Sequence, residues 1–274
     1  MTTLTSITND AQALRRAIGL VPIESLNGYE EVDERRVAQI ESSLSSSQEL
    51  VNPIVVDRER SLLIDGHHRV RAFKSLGLPY IAAYDVPYPD DRRVQVRSWR
   101  WTTTAPLSAV RGAFDSLAGS QPGPWKVTLF DGSSRSALAE QSFVTPLSAA
   151  LFVNRLTLSL SAAGHVVETT ASPGPPDGDD VTGRLSIEMT PTVGKREVVE
   201  AVRRSERFPH PINRHLAVAR PLALNLPLDV QTDAERFERH VARLFEACRV
   251  QLNEPGIWHD GRLYEEPTTT FVKR

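Results

Sequence analysis

Apolar residues recur along this chain at two alternating spacings. Between residues 20 and 87, short apolar runs of strand type alternate with stretches of helical spacing, the pattern of a compact α/β unit. A short helix is expected around Ala11–Ile18, with Gly19 ending it and Leu20-Val21-Pro22-Ile23 following as a strand or extended entry. Asn27-Gly28 marks a turn. From Val32 to Leu44, the positions Val32, Val37, Ile40 and Leu44 fall on one helical face with charges between them. The serines that follow end that helix. Asn52–Asp57 is β-rich with proline at its entry, and Arg58-Glu59-Arg60 links it to Leu62-Leu63-Ile64. A helix over 67–76 stops at Gly77, and Tyr80–Val86 reads as another strand.

Val94–Trp101 alternates apolar and polar residues, without distinguishing which face is buried. Beyond it the pattern predicts a helix over 106–118, a loop at Gln121–Pro124, and strands at Trp125–Phe130, Arg155–Leu160, Val166–Thr170 and Arg184–Met189. Ala171–Asp180, rich in Pro, Gly and Asp, reads as a flexible loop. Helices are expected at Lys195–Arg204 and Thr232–Val250. In the second, Phe237, Val241, Leu244, Phe245 and Cys248 share a face, and Thr232 or Asp233 caps the start. Cys248 reads as a core residue of that helix, since free cysteine packs as a small hydrophobe. The fold class expected is α/β (α+β), with an N-terminal domain over 1–101 and a second α+β domain over 102–274.

Composition narrows the picture. The 274 residues are 40% hydrophobic and 24% charged, ordinary values for a globular chain. The net charge of −2 offers no overall attraction to nucleic acid. One cysteine makes no internal disulfide and suits a reducing compartment. The N-terminus has no signal-peptide core and no apolar run reaches membrane-spanning length. The expectation is a soluble cytoplasmic protein without a membrane or nucleic-acid partner.

Three clusters carry candidate chemistry. Asp65-Gly66-His67-His68-Arg69 stands where a strand meets a helix. A helix start exposes unpartnered N–H groups and the positive end of the dipole, which attract phosphate. Gly66 permits close backbone approach and Arg69 can fork onto phosphate oxygens. A plain cap with a packed ring is the competing reading. Glu30-Glu31 precedes the second helix, where acidic residues ordinarily complement the dipole. Phe208-Pro209-His210-Pro211-Ile212-Asn213-Arg214-His215 places two histidines and an arginine in a proline-stiffened segment that can bind a carboxylate or phosphate, or serve as an ordinary connector.

Taken in order, the proline-ended strand, Tyr29-Glu30-Glu31-Val32, Asn52-Pro53-Ile54-Val55-Val56-Asp57, Ile64-Asp65-Gly66-His67-His68-Arg69, Ser98-Trp99-Arg100 and the 208–215 segment resemble the ParB/sulfiredoxin-like superfamily, and within it the free L-serine kinases. The resemblance is strong over 20–101 and 194–228 and weak or absent over 102–193. Sulfiredoxin chemistry needs a cysteine in the turn, where His67 stands here.

What the resemblance implies is a ParB/sulfiredoxin-like nucleotide-binding domain, and a kinase that transfers phosphoryl from ATP or ADP, with Mg²⁺, to the hydroxyl of a free amino acid, L-serine first. Glu30 would be the general base, with Asp65 and His67 also catalytic and Asp65 a metal ligand. Gly66, His67, His68 and Arg69 would hold the nucleotide. Trp99, Asn213, Arg214 and His215 would bind substrate. Two alternatives stay open: a ParB-like nucleotide-binding regulator or DNA-associated switch, and a kinase of another hydroxy compound such as threonine or homoserine. One departure bears on the substrate: Pro211-Ile212-Asn213 stands where those kinases have Lys-Thr-Thr.

Overall fold

The computed structural model describes residues 11–117, 121–132, 134–171 and 184–274. The chain forms two compact units, one of residues 1–95 with 215–274 and one of 96–214. A linear division at residue 101 therefore differs from the structure: the last sixty residues return to the first unit. Hydrogen bonding explains the return. Gln231 is buried and its side chain accepts from Ala82 N–H at 2.9 Å, while its Nε2 donates to Leu226 O at 3.1 Å. Tyr84 O–H donates to Val218 O at 2.9 Å, and Ala223 N–H donates to Asn52 Oδ1 at 2.9 Å.

The first unit is built on a four-stranded sheet in the order Ile18–Pro22, Tyr80–Asp85, Ile54–Asp57, Leu62–Asp65. The central pair, Tyr80–Asp85 with Ile54–Asp57, is parallel, and both outer pairs are antiparallel. Ile54, Val55 and Val56 are wholly buried, as are Ile81, Ala82, Ala83 and Tyr84. Such unbroken apolar runs fit strands covered on both faces. Helix Glu34–Ser47 packs on helix His67–Ser75, placing Val37, Leu44, Ala72 and Phe73 in the core. Asp33 caps the first of these by accepting from Arg35 N–H, which satisfies a donor that no helical carbonyl reaches.

The C-terminal residues add helix Ala234–Ala247 beside strand Ile18–Pro22, capped by Asp233, and a sheet in which Thr268–Lys273 runs between Arg220–Pro221 and Cys248–Asn253. The helix stops at Ala247. Cys248 is buried but opens a strand instead of extending the helix to Val250, because its backbone pairs with Lys273. A hairpin of Ile257–His259 and Arg262–Tyr264 closes this region through Asp260-Gly261, both at positive φ.

In the second unit, Trp125–Asp131 lies between Ala137–Phe143 and Leu185–Thr190, and Leu185–Thr190 pairs in turn with Val94–Thr103. Val167–Ala171 also pairs with Val94–Thr103. The expected strand at Arg155–Leu160 is instead the end of a 17-residue helix, Pro146–Ala162. The alternation of Leu156, Leu158 and Leu160 imitates a strand, yet Leu156 and Leu160 share the buried face while Leu158 is exposed. A Thr145–Ser148 capping box starts the helix, with Pro146 inside its first turn. Strand Ala137–Phe143 escapes prediction because it has no β-branched residue and no apolar alternation, with the polar Gln141 among its buried positions. Most of the loop expected at 171–180 lies outside the described residues.

Replacing Gln231 by leucine would leave the Ala82 N–H buried without an acceptor. The expected loss is about 1–3 kcal/mol, read as a lowered urea midpoint of unfolding with near-native circular dichroism before the transition.

Candidate active site

Strand Leu62–Asp65 passes into helix His67–Ser75 through Gly66, whose φ is 111°. A side chain here would be strained, and its Cβ would lie 2.6 Å from Ile54 Cγ2. Beside this strand, Asn27 N–H donates to Ser61 O at 2.8 Å and Leu63 N–H donates to Asn27 O at 3.0 Å. That short pairing carries the following residues, Tyr29 and Glu30, along the strand toward the 65–69 turn.

The two histidines of the turn fasten this segment. Tyr29 N–H donates to His67 Nε2 at 3.3 Å, and Asp33 N–H donates to His68 Nε2 at 3.0 Å. A ring nitrogen that accepts an N–H bond carries no proton, so both neutral rings hold theirs on Nδ1. His67 Nδ1 faces the Glu30 carboxylate at 3.6 Å. Glu30 is 7% exposed, whereas its neighbour Glu31 is exposed. The pair at 30–31 is thus divided: one carboxylate turns inward to the histidine and one faces solvent.

His215 sits on the same side. Tyr29 O–H donates to Ile64 O at 3.3 Å, and its oxygen lies 3.1 Å from His215 Nδ1. Tyr88 Oη lies 2.7 Å from His215 Nε2. With the Tyr29 proton on Ile64 O, His215 Nδ1–H donates to Tyr29 and Nε2 accepts from Tyr88. Burial pushes His215 down to about 3 despite the opposing pull of Glu30 and Asp65, so the ring is neutral near pH 7. Burial, reinforced by Glu30, raises the Tyr29 hydroxyl well above its ordinary range.

Asp65 lies among arginines. Its Oδ2 accepts from Arg220 Nη1 and from Arg262 Nη1, the latter at 3.0 Å, with Arg69 Nη2 at 3.9 Å. Burial would raise this carboxyl, but Arg220, Arg262 and Arg69 hold it well below the usual carboxylate range. Arg69 Nη1 donates to Asn52 O and Pro53 O at 2.7 and 2.8 Å. Arg220 and Glu266 are each 2% exposed, with Arg220 Nε 3.7 Å from Glu266 Oε1. Both Arg220 and Arg262 lie over the Tyr264 ring, at 5.7 and 4.9 Å from its centroid.

The first unit therefore brings together Glu30, Asp65, Gly66, His67, His68, Arg69 and His215 from separated stretches of sequence. The metal-ligand expectation for Asp65 meets a different environment, since Oδ2 is engaged by two guanidinium groups. Among the described residues, no group of three or more His, Cys, Asp or Glu side chains could hold a metal ion.

Trp99, Asn213 and Arg214 belong to the second unit. There Trp99 Nε1–H donates to Asn213 O at 3.0 Å, the Arg214 guanidinium lies 5.7 Å from the Trp99 ring centroid, and Asn213 Nδ2 donates to Val193 O at 2.7 Å. No spacing marks Tyr88, Arg220, Arg262, Tyr264 or Glu266 in the sequence. Tyr29 is signalled only by its place beside Glu30.

No family model matches the chain. It is similar to a ParB-like protein of Sulfolobus acidocaldarius, 30% identical over 164 residues that span 60% of this chain and 73% of the relative. Its fold matches C-terminally truncated SbnI from Staphylococcus aureus with a TM-score of 0.65 at 18% identity, over 85% of this chain and 98% of that one. It also matches a free serine kinase: a glutamate-to-glutamine variant with AMP gives 0.64 at 16% identity, and a glutamate-to-alanine variant with ADP gives 0.64 at 17%. Each covers 78% of this chain and 94% of the kinase.

The sign of the His215 contribution to stability follows from its lowered value. A ring near 3 when folded and 6.5 when unfolded binds a proton more readily in the unfolded chain. Its stabilising effect is complete above about pH 6.5 and is lost as the pH falls toward 3. The wild-type advantage over a His215→Gln variant should shrink by up to about 1.4 kcal/mol per pH unit across that window, measured by urea unfolding at stepped pH.

Proposed function

This chain belongs to the ParB-like family, and on that premise we propose that it is a phosphotransferase moving a phosphoryl group from a nucleotide to the hydroxyl of a free amino acid, L-serine first among the candidates. The observation that carries this reading is the buried Glu30 carboxylate, 3.6 Å from His67 Nδ1 beside the Asp65–Arg69 turn. A base, a helix start and arginine side chains occur within one unit, a combination suited to direct phosphoryl transfer, in which positioning and charge stabilisation carry the catalysis. The fold likeness to a free serine kinase solved with AMP and ADP supports the nucleotide as donor.

In this mechanism the nucleotide phosphates lie against the start of helix His67–Ser75, with Gly66 allowing close approach and the arginines neutralising charge. The substrate hydroxyl stands between Glu30 and the terminal phosphorus. Glu30 accepts the hydroxyl proton while the new O–P bond forms and the bond to the leaving nucleotide breaks. His67 acts mainly by position: Nε2 is held by Tyr29 N–H, so its Nδ1–H is directed toward Glu30. His68 fixes the same segment through Asp33 N–H. His215, neutral and clamped by two tyrosines, gives the substrate side a polar wall that carries no charge.

Magnesium is expected to accompany a nucleotide in such transfers. The side chains around Asp65 do not form a resident site for it, since Asp65 Oδ2 is already engaged by arginines. Such an ion would be held chiefly by the nucleotide's own phosphate oxygens. The reducing compartment suited to a single cysteine fits a cytoplasmic enzyme, and no described helix is long and apolar enough to cross a membrane.

A second reading, a nucleotide-binding regulator without metabolite transfer, draws on the 30% identity to a ParB-like protein. The replacement of Lys-Thr-Thr by Pro211-Ile212-Asn213 also leaves room for threonine, homoserine or another hydroxy compound as acceptor. Incubation with ATP or ADP, Mg²⁺ and each hydroxy amino acid separates the readings by ³¹P NMR and mass spectrometry. The kinase reading expects a phosphorylated amino acid. It also expects Glu30→Gln to lower kcat by roughly 10²–10⁴-fold with nucleotide affinity retained. Nucleotide binding with no phosphorylated acceptor would favour the regulator.

A further inference from the structure

The C-terminal hairpin places an arginine against the 65–69 turn that no motif in the chain announces. Arg262 begins its second strand, and its Nη1 donates to Asp65 Oδ2 at 3.0 Å. The same carboxylate oxygen also accepts from Arg220 and has Arg69 nearby. One oxygen cannot satisfy three planar guanidinium forks, each with five donors. The arginines differ sharply in access. The Arg220 side chain is 3% exposed, and its Nε and Nη2 have no hydrogen-bond partner. Arg69 is tied to two carbonyls. The Arg262 side chain is 31% exposed, with Asp65 at 25% beside it. The cluster thus has a closed floor formed by Arg220 and Glu266, and an open edge formed by Arg262 and Asp65.

Holding three cations together in a partly buried place costs free energy unless an anion joins them. Asp65 and the buried Glu266 beside Arg220 supply two of the three compensating charges. The rest of the arrangement suits a ligand with several charged oxygens, which can take a second fork edge from an arginine already oriented by a carboxylate. Tyr264 stiffens that orientation, because its ring lies under Arg262 at 4.9 Å and its hairpin partner Ile257 pins the strand.

We propose that Arg262, presented by the Ile257–Tyr264 hairpin and oriented by Asp65, is a phosphate-binding residue that contacts the phosphate chain of the nucleotide at this site. The inference rests on the nucleotide reading above and adds to it a binding residue from the far end of the chain. Arg220 is its buried positioning partner: it holds Asp65 charged and in place, and does not itself reach the ligand. The hairpin then links nucleotide affinity to the folding of the C-terminal sheet.

The test is calorimetric titration of the full-length protein with ADP and, separately, with inorganic pyrophosphate, for wild type, Arg262→Gln and Arg262→Lys. Loss of a charge-assisted fork should weaken both ligands by about 10- to 100-fold in Arg262→Gln. Lysine, which keeps the charge but not the fork, should recover only part of that loss. The unliganded melting temperature of Arg262→Lys should stay close to wild type, so that variant decides the matter if Arg262→Gln fails to fold. Wild-type affinity in a folded Arg262→Gln, or in Arg262→Lys if the other does not fold, would overturn the proposal and make Arg262 a counter-ion of Asp65 only. Arg262-dependent binding of pyrophosphate and ADP without any phosphorylated acceptor would preserve the inference while the kinase reading fell. Amino-acid phosphorylation with an unchanged nucleotide KM in Arg262→Gln would do the reverse. Binding of neither ligand by wild type would remove both.

Discussion

Two backbone N–H groups, those of Tyr29 and Asp33, donate to the Nε2 atoms of His67 and His68, and the candidate site depends on this pairing. The bonds join a segment before one helix to the first residues of another, more than thirty positions away in sequence. They also decide the tautomer. With Nε2 accepting, each ring must carry its proton on Nδ1, and for His67 that proton is directed at Glu30. Exchanging either histidine for a residue without an acceptor at that distance would release the segment that holds the carboxylate. A side chain at Gly66 would disturb the same pairing from below, through Ile54.

Electrostatics divides the first unit into two environments. Around His215, burial dominates: the ring is held neutral by desolvation and satisfied by two tyrosine hydroxyls, so polarity persists there without charge. Around Asp65, ion pairing dominates: desolvation opposes the charged carboxylate, but Arg220, Arg262 and Arg69 overcome it. Placing a neutral imidazole beside a charged carboxylate and its arginines separates a region suited to an uncharged hydroxyl from one suited to a polyanion. This is the division that transfer from a nucleotide to an alcohol would need, under the proposed reading.

The sheet order and the tertiary hydrogen bonds explain why these groups meet. Asn27 pairs with the strand that leads to Asp65, so Glu30 travels along that strand to the turn at its end. The C-terminal residues return because Gln231 satisfies the Ala82 amide inside the core and Tyr84 donates to Val218. The same return carries Arg220, Arg262, Tyr264 and Glu266 to Asp65. A chain divided linearly into two domains would have left the arginine cluster without two of its three members.

Much of the first unit was legible in the sequence because its signals are local. Unbroken apolar runs at 54–56 and 62–64, the spacing of Val37 and Leu44, and glycine at the strand-to-helix junction each act within a few residues. The strand-to-helix turn is legible for the same reason, whereas the local pattern at Glu30-Glu31 reads only as a dipole complement and does not tell which carboxylate turns inward. Local signals fail where two periodicities coincide, as at Leu156, Leu158 and Leu160, and where a strand such as Ala137–Phe143 lacks β-branched residues and apolar alternation. Cys248 is a core residue, as its spacing predicts, but it opens a strand because pairing with Lys273 prevails over helical spacing. By itself the sequence determined the elements between residues 20 and 87 and the residue types of the 65–69 turn, since both follow from neighbouring residues. Only the tertiary structure decided which charges face Asp65, which ring nitrogens carry protons and where the last sixty residues lie, because those depend on hydrogen bonds between residues up to 197 positions apart.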